Sequence, residues 1–302
     1  HPNDILNQGH INYMIRTAVD QGIPPVSAIR MATLNPAEYF CQRRLGAVAP
    51  GRIADLVVFD DFRSMTVHQV YKNGQLVAQD GRALYQEKLR PKVTVRSSMN
   101  IRWLEGDEFV IPAQGEFARV IEVVPDQIVT NEKIMAVKRK NGLVESDVDR
   151  DILKLFVIER HRASGNVGRG LIHGFGLKQG AIATSIAHDS HNIIVVGTND
   201  RDIFKAVTTI NKMGGGIAVV VNEQVLEKLE LPIAGLMSDQ TLEVVSAKMD
   251  DLIAAAHSLG VTLDDPIMTL SFMALPVIPQ LKLTDLGLVN VEKFQHIDLF
   301  VQ

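Results

Sequence analysis

One short run of polar side chains, residues 188–192, combines the groups that most readily take part in enzyme chemistry. A histidine exchanges protons near neutral pH, and a neighbouring aspartate can fix the tautomer of the imidazole or accept a proton. The run follows one predicted strand and precedes another, so a rigid sheet would hold its side chains and leave them accessible. We predict His188, Asp189, Ser190 and His191 as catalytic residues and Asn192 as a substrate-binding residue.

The same run fits two other interpretations. Polar side chains in a tight turn often satisfy backbone groups, and the spacing alone favours this structural role. A metal site is the least favoured, because His188 and His191 stand at i and i+3 and leave an ordinary site short of ligands. Histidines outside the run are expected on the surface or in packing contacts, among them His10, His161 and His173.

Two glycine clusters resemble nucleotide-binding loops only superficially. The segment from Gly174 to Gly180 precedes a predicted strand, whereas a dinucleotide-binding loop follows a strand and opens a helix. The segment from Gly214 to Gly216 lies between a predicted helix and a strand, where the positive φ of a helix C-terminus favours glycine. We therefore predict that neither cluster contacts phosphate.

The later part of the sequence alternates predicted strands and helices. Continuous apolar runs at 193–197 and 217–221 indicate strands buried on both faces, and a helix that starts at Asn199 separates them. This is a β-α-β rhythm. A long helix is predicted from 239 to 259, and another from 147 to 162, where four apolar residues fit a helical face.

The earlier part contains two predicted helices followed by short strands. Apolar residues recur at helical spacing from Ile11 to Val19, and Pro24-Pro25 opens a second helix, since a proline in the first turn loses no intrahelical hydrogen bond. Paired helices of this kind suit the outer ring of a barrel. From 53 to 82 the pattern changes to short strands, with a tight hairpin predicted at Asn73-Gly74.

Composition limits the classes of partner. With 31 basic and 35 acidic residues the net charge is -4, so no broad electropositive field favours nucleic acid, whereas an uncharged nucleobase remains compatible. Cys41 is the single cysteine, which rules out an intrachain disulfide and favours the cytoplasm. No signal peptide or long apolar span precedes the first helix, so no membrane contact is expected. Because residue 1 is His1 rather than Met, we expect the chain to start inside a longer polypeptide.

Several longer motifs resemble known enzymes. Asn35-Pro36-Ala37, with the segment from Leu45 to Asp60, resembles the amidohydrolase superfamily of metal-dependent hydrolases. In that superfamily such a segment leads from the catalytic (β/α)8 barrel into a small β-domain. The segments 1–10, 188–192 and 271–279 further resemble the bacterial adenine deaminases, a family within this superfamily. The resemblance extends over essentially all 302 residues.

The resemblance implies an α/β fold with three parts. Residues 1–50 would be the last helices of the amidohydrolase barrel, residues 51–95 the small β-domain, and residues 96–302 a separate α/β or α+β C-terminal domain. Within the small β-domain the resemblance makes Asp55 a structural residue that pairs with backbone amides or a nearby cation. It does not make Asp55 a catalytic acid.

For function, the resemblance implies hydrolysis of adenine to hypoxanthine and ammonia at a binuclear manganese or iron centre. The metal ligands would lie upstream of His1, and none is assigned to this chain. His1 itself would lie near the barrel mouth and bind substrate. The implied partners are adenine and the missing N-terminal half of the same enzyme, and we also expect a homo-oligomer.

Two alternatives remain open. The first is another amidohydrolase that acts on a cyclic amide or amidine, which the segment from Asn35 to Asp60 fits equally well. The second is a non-catalytic module that binds the catalytic half. The polar run 188–192 argues against the first, and the density of family motifs argues against the second.

Overall fold

The computed structural model describes residues 2–85 and 98–301. The chain divides into two compact units, His1–Lys92 and Val93–Gln302, and each is described by itself. Among the described helices, none has both the length and the apolar character needed to cross a lipid bilayer. The prediction for His1 lies outside the described residues.

Four short helices open the first unit: α1 (Pro2–Asn7), α2 (Ile11–Asp20), α3 (Pro25–Ala32) and α4 (Leu34–Tyr39). The predicted helices at 11–19 and after Pro24 are therefore confirmed as α2 and α3. Pro25 stands at the first position of α3, where its missing amide hydrogen leaves no intrahelical bond unmade.

A four-stranded antiparallel sheet completes the first unit, in the order β1 (Leu56–Phe59), β2 (Val67–Lys72), β3 (Gln75–Gln79) and β4 (Arg82–Ala83). Asn73 and Gly74 connect β2 to β3 with φ of 51° and 76°, which confirms the predicted hairpin turn. Asp55 accepts hydrogen bonds from the amide of Asn73 at 2.9 Å and from the Lys72 ammonium. Its predicted structural role is thus confirmed.

The second unit is built on a nine-stranded sheet. In chain order its strands are β5 (Phe117–Val123), β6 (Thr130–Ala136), β9 (Ile152–Ile158), β10 (Val167–His173), β11 (Ala181–Thr184), β12 (Ile193–Gly197), β13 (Gly216–Val221), β14 (Gln224–Glu230) and β18 (Phe300–Val301). Across the sheet their order is β14-β13-β11-β12-β9-β10-β5-β18, and β6 also pairs with β5. All pairings are antiparallel except that of β10 with β5.

Three helices and two small sheets accompany this sheet. The helices are α5 (Asp200–Met213), α6 (Leu242–Ser258) and α7 (Pro266–Phe272). The small sheets are β7 (Lys138–Lys140) with β8 (Leu143–Glu145), and β15 (Leu281–Thr284) with β16 (Gly287–Asn290) and β17 (Gln295–Ile297). The predicted β-α-β unit is confirmed as β12, α5 and β13, with β11 lying between the two strands.

Two apolar cores cover the two faces of the nine-stranded sheet. One contains residues of α6, α7 and β15, and the other contains residues of α5 and the 3-10 turn Asp107–Phe109. Strand β9 contributes to both, because successive side chains of a strand point to opposite faces. Leu155 and Val157 enter the first core, and Phe156 and Ile158 enter the second. The second unit is thus a mixed α/β domain with a sheet buried on both sides.

The predicted helix from 147 to 162 is wrong, since this region holds β9, which is buried at every position. A strand covered on both faces shows no polar alternation in its sequence, and a short apolar run of this kind also fits a helical face. The long helix predicted at 239–259 is confirmed as α6.

Both glycine clusters contain residues with a structural role in the backbone. The amides of Gly174 and Gly176 both donate to the carboxylate of Asp151, each at 2.9 Å. Gly214 ends α5 with φ of 76°, the left-handed conformation that glycine adopts without a steric penalty. The predicted position of Gly214 at the end of a helix is thus confirmed, and the expectation that neither cluster contacts phosphate stays a prediction.

Candidate functional site

The run 188–192 is the last part of the loop that joins β11 to β12 in the second unit. These two neighbouring antiparallel strands are fully buried, so the sheet fixes both ends of the loop. The peptide bond between His188 and Asp189 is cis. The loop is thus a short polar segment between two rigid strands, as the sequence predicted.

The two histidines of the loop lie side by side. Their ring centroids are 5.4 Å apart in an edge-to-face arrangement. The His188 ring also stacks on Phe272 at the end of α7, with centroids 4.9 Å apart and planes 25° apart. The His188 amide donates to the carbonyl oxygen of Ser271 at 3.2 Å. Helix α7 therefore fixes the orientation of His188.

His191 is held in a strained and partly buried position. Its φ is 51°, in the left-handed region, and its amide donates to the carbonyl oxygen of Ala187 at 2.6 Å. Burial lowers the pKa of the imidazole, the charges of His188 and Arg160 lower it further, and the Asp189 carboxylate opposes them. Within the described part of the chain, Nδ1 of His191 is buried without a hydrogen-bond partner. These effects together favour the neutral form of the ring.

Asp189 and Ser190 form the exposed tip of the loop. The carbonyl oxygen of Ser190 lies 2.7 Å from Nε2 of His161, an exposed histidine that follows β9. His161 was predicted only as a surface or packing residue, and its contact with the loop has no signal in the sequence, because the two residues are 29 positions apart.

Asn192 anchors the C-terminal end of the loop. It is 3% exposed, its side-chain oxygen accepts from the amide of Arg160 at 3.3 Å, and its side-chain nitrogen donates to Asp285 at 3.1 Å. The other oxygen of Asp285 accepts from Asn166, also at 3.1 Å. Asn192 is thus part of an internal polar network, and its substrate-binding role stays a prediction.

Arg160, which lies just after β9, also holds the loop in place. Its guanidinium donates to the carbonyl oxygens of His191, Ser98 and Ala234. Neither Arg160 nor Asp285 was singled out from the sequence. The sequence offered one signal for Arg160, namely an arginine at the end of an apolar run. The carbonyl groups that it bonds are brought to it only by the tertiary fold.

The described residues do not form a metal centre. Across 2–85 and 98–301, no three side chains of the His, Cys, Asp or Glu type come together in a way that could hold an ion. His188 and His191 are adjacent, but the neighbours that orient them are Phe272, Ser271 and Ala187 rather than further ligands. What the loop can do by itself is donate and accept protons and hydrogen bonds.

Comparison with known proteins places this loop in a family. Residues 127–295 match the adenine deaminase C-terminal domain, and this match covers more than half of the chain. The chain belongs to the adenine deaminase C-terminal domain family. Residues 4–77 match the amidohydrolase family. The loop, Arg160 and Asp285 all lie inside the first match.

Several longer proteins that are similar to this chain are named adenine deaminase. The chain is 49% identical over 300 residues to the adenine deaminase of Desulfatibacillum aliphaticivorans, which covers 99% of this chain and 52% of that protein. It is 50% identical over 304 residues to the adenine deaminase of Methanothrix thermoacetophila, with 100% and 52% coverage. The adenine deaminase 2 of Carboxydothermus hydrogenoformans is 46% identical over 295 residues, with 97% and 52% coverage. The chain spans about half the length of the curated relatives it matches.

Proposed function

We propose that this chain is part of an enzyme that hydrolyses adenine to hypoxanthine and ammonia. The observation that carries the proposal is the 50% identity to an adenine deaminase along 100% of this chain. The relatives that share this name do not favour another amidohydrolase reaction. The three-part division at residues 50 and 95, with barrel helices first, belongs to the same proposal, and the amidohydrolase match to 4–77 supports it.

The metal centre of this enzyme is proposed to lie on other residues of the full polypeptide. The amidohydrolase match supports metal dependence, with a binuclear manganese or iron centre as the specific proposal. Such a centre lowers the pKa of bound water and so supplies a nucleophile at neutral pH. The described residues contain no group fitted to hold it, so no step is assigned to a metal ligand of this chain.

The part proposed for this chain is proton transfer by the 188–192 loop. Hydrolytic deamination forms a C6–O bond and breaks the C6–N bond, and the amine leaves as ammonia once its nitrogen has been protonated. A neutral imidazole such as His191 can accept a proton from water and return it to the leaving amine. Asp189 and Ser190 are exposed at the loop tip, where they can form hydrogen bonds with the substrate.

The remaining predicted roles complete the proposal. His1 and Asn192 are proposed to bind substrate, with adenine as the small-molecule partner and the N-terminal half of the enzyme as the protein partner. A homo-oligomer in the cytoplasm is also proposed, supported for the compartment by the single cysteine. Light scattering of the purified full polypeptide would measure the oligomeric state.

The test is ammonia release from adenine in the presence of manganese. The chain is expressed alone and together with the upstream half of the enzyme. We expect activity only from the pair. If the pair is folded, binds metal and still releases no ammonia, the assignment to adenine is wrong.

Substitutions in the active pair then test the loop. His188→Ala and His191→Ala should each lower kcat by about 100-fold or more, the usual loss for a general acid or base. His257→Ala is the matched control, because the His257 ring contacts only the carbonyl oxygen of Leu263 in the described hydrogen bonds. Unchanged kcat in both loop variants would remove the loop from the mechanism.

A further inference from the structure

Arg160 is a buried cation that connects three separate segments of the second unit. It is 2% exposed, and its guanidinium donates to the carbonyl oxygens of Ser98, His191 and Ala234, the last at 3.0 Å. Its own backbone amide donates to the side chain of Asn192 at 3.3 Å. Two of these contacts are made to the 188–192 loop.

The charge of Arg160 is balanced by carbonyl dipoles. Among the described residues no carboxylate forms an ion pair with it, and burial lowers its pKa. Burying a guanidinium without a counterion is costly. Lys154 on β9, another buried cation of the second unit, has instead the carboxylate of Asp200 at 2.6 Å. A fold that only needed to fill this space would do so at lower cost with a neutral side chain.

Other groups hold the two ends of the loop. Helix α7 holds His188 through the stacked Phe272 ring and the carbonyl oxygen of Ser271. Asp285, in the turn between β15 and β16, holds Asn192. The His191 carbonyl is held by Arg160. Loss of Arg160 would therefore free the His191 carbonyl, while both ends of the loop stay attached.

We propose that Arg160 is a positioning residue, which fixes the His191 carbonyl and thereby directs the imidazoles of His191 and His188 toward the substrate. This inference rests on the proposed function of the loop. A displacement of about 1 Å in a group that takes part in the reaction lowers the rate by about 100-fold. A small shift of the His191 carbonyl, and with it of the imidazole, is therefore expected to lower kcat.

Arg160 also acts on His191 through its charge. The titratable groups that face the His191 ring are His188, Arg160, Asp189 and His161, and all except Asp189 disfavour its protonation. Arg160 is the one among them that stays charged at every relevant pH. Burial lowers the pKa of His191 most, and the charge of Arg160 lowers it further, which favours the neutral ring that can accept a proton.

Two variants separate the two effects in the full, active enzyme. Arg160→Gln removes the charge and the three-way bonding, whereas Arg160→Lys keeps the charge and cannot reach three carbonyls at once. Both should lower kcat by about 100-fold. Lys154→Met is the matched control, since it removes a buried cation of β9 that forms no hydrogen bond or ion pair with the described loop residues 188–192 and pairs instead with Asp200, and its kcat should stay near the wild-type value. A loss of kcat no greater than that of Lys154→Met overturns the proposal.

A second measurement does not depend on activity. Exchange of the imidazole C2 hydrogen with deuterium over a range of pH, followed by fragmentation mass spectrometry that separates His188 from His191, gives the pKa of His191 in each variant. Arg160→Gln should raise this pKa, and Arg160→Lys should leave it lowered while kcat still falls. If adenine is not the substrate, this measurement still tests the link between Arg160 and His191, so the two failures are distinguishable. An unchanged His191 pKa in Arg160→Gln overturns the inference.

Discussion

The two units of the chain differ in how much apolar side chain they bury. Among the described residues of the first unit, the buried apolar side chains are those of Ala28, Ala37 and Met65. Many of its large apolar residues are exposed, including Ile5, Leu6, Met14, Val26, Met31, Phe40, Val57 and Phe62. The second unit buries two extensive cores, one on each face of its main sheet.

This difference indicates that the second unit can fold by itself and that the first unit cannot. Apolar burial is the main favourable term in folding, and a sheet or an amphipathic helix must cover its apolar face with another element. The second unit meets this requirement with its own helices α5, α6 and α7. The first unit, taken by itself, leaves apolar side chains of its helices and of β1 in water.

Separate expression of the two units tests the comparison most strongly. Residues 93–302 should unfold in urea in one cooperative transition, because both cores lie inside them. Residues 1–92 alone should show no cooperative transition by circular dichroism. A sharp transition from residues 1–92 would show that their few buried residues suffice, and the comparison would fail.

Loss of one aromatic side chain should have a large effect in one unit and almost none in the other. Phe156 in β9 is 0% exposed, and Phe156→Ala should lower the free energy of unfolding by about 3–5 kcal/mol, since it leaves a cavity. Phe40, which is 68% exposed, is the control, and Phe40→Ala should change the free energy by less than about 0.5 kcal/mol. Urea titration of the whole chain measures both, and similar values would contradict the difference in burial.

Helix capping gives a smaller contrast. The Asn199 side chain caps α5 by accepting from the amide of Asp202 at 2.9 Å, so Asn199→Ala should cost about 1 kcal/mol. His10 occupies the same position before α2 and makes no side-chain capping bond. His10→Ala should therefore leave the stability unchanged in the same titration. Equal losses in the two variants would mean that the Asn199 bond contributes nothing.

The smallest effect is a dependence on pH near Arg160. Burial raises the pKa of Glu159, but hydrogen bonds from Ser164, His161 and Arg162 lower it by more, so the folded pKa lies below the usual value. A carboxyl of this kind stabilises the fold above its unfolded pKa of about 4.3 and loses that contribution as the pH falls through the folded pKa. Thermal unfolding from pH 6 to pH 3 should show this loss, and Glu159→Gln should weaken it. Parallel pH curves for the two proteins would contradict the assignment.

Local patterns in the sequence predicted most of the elements correctly. The spacing from Ile11 to Val19, the turn at Asn73-Gly74 and the apolar runs at 193–197 and 217–221 all lie where the structure has the corresponding helix, hairpin and strands. These succeed because they depend on neighbours within a few residues. The helix expected at 147–162 fails because β9 is covered on both faces, and only the fold reveals the second cover.

The candidate site divides in the same way. Loop 188–192 could be found from residue type and its place between two strands, while Arg160, His161 and Asp285 could not, because their contacts with the loop join residues 29 or more positions apart. The sequence by itself determined the family, the hydrophobic periodicity of the helices and strands, and the polar loop, since each depends on residues that are close together in the sequence. The tertiary structure alone decided which distant groups hold the loop and lower the pKa of His191, because contact and burial depend on how the chain folds back on itself.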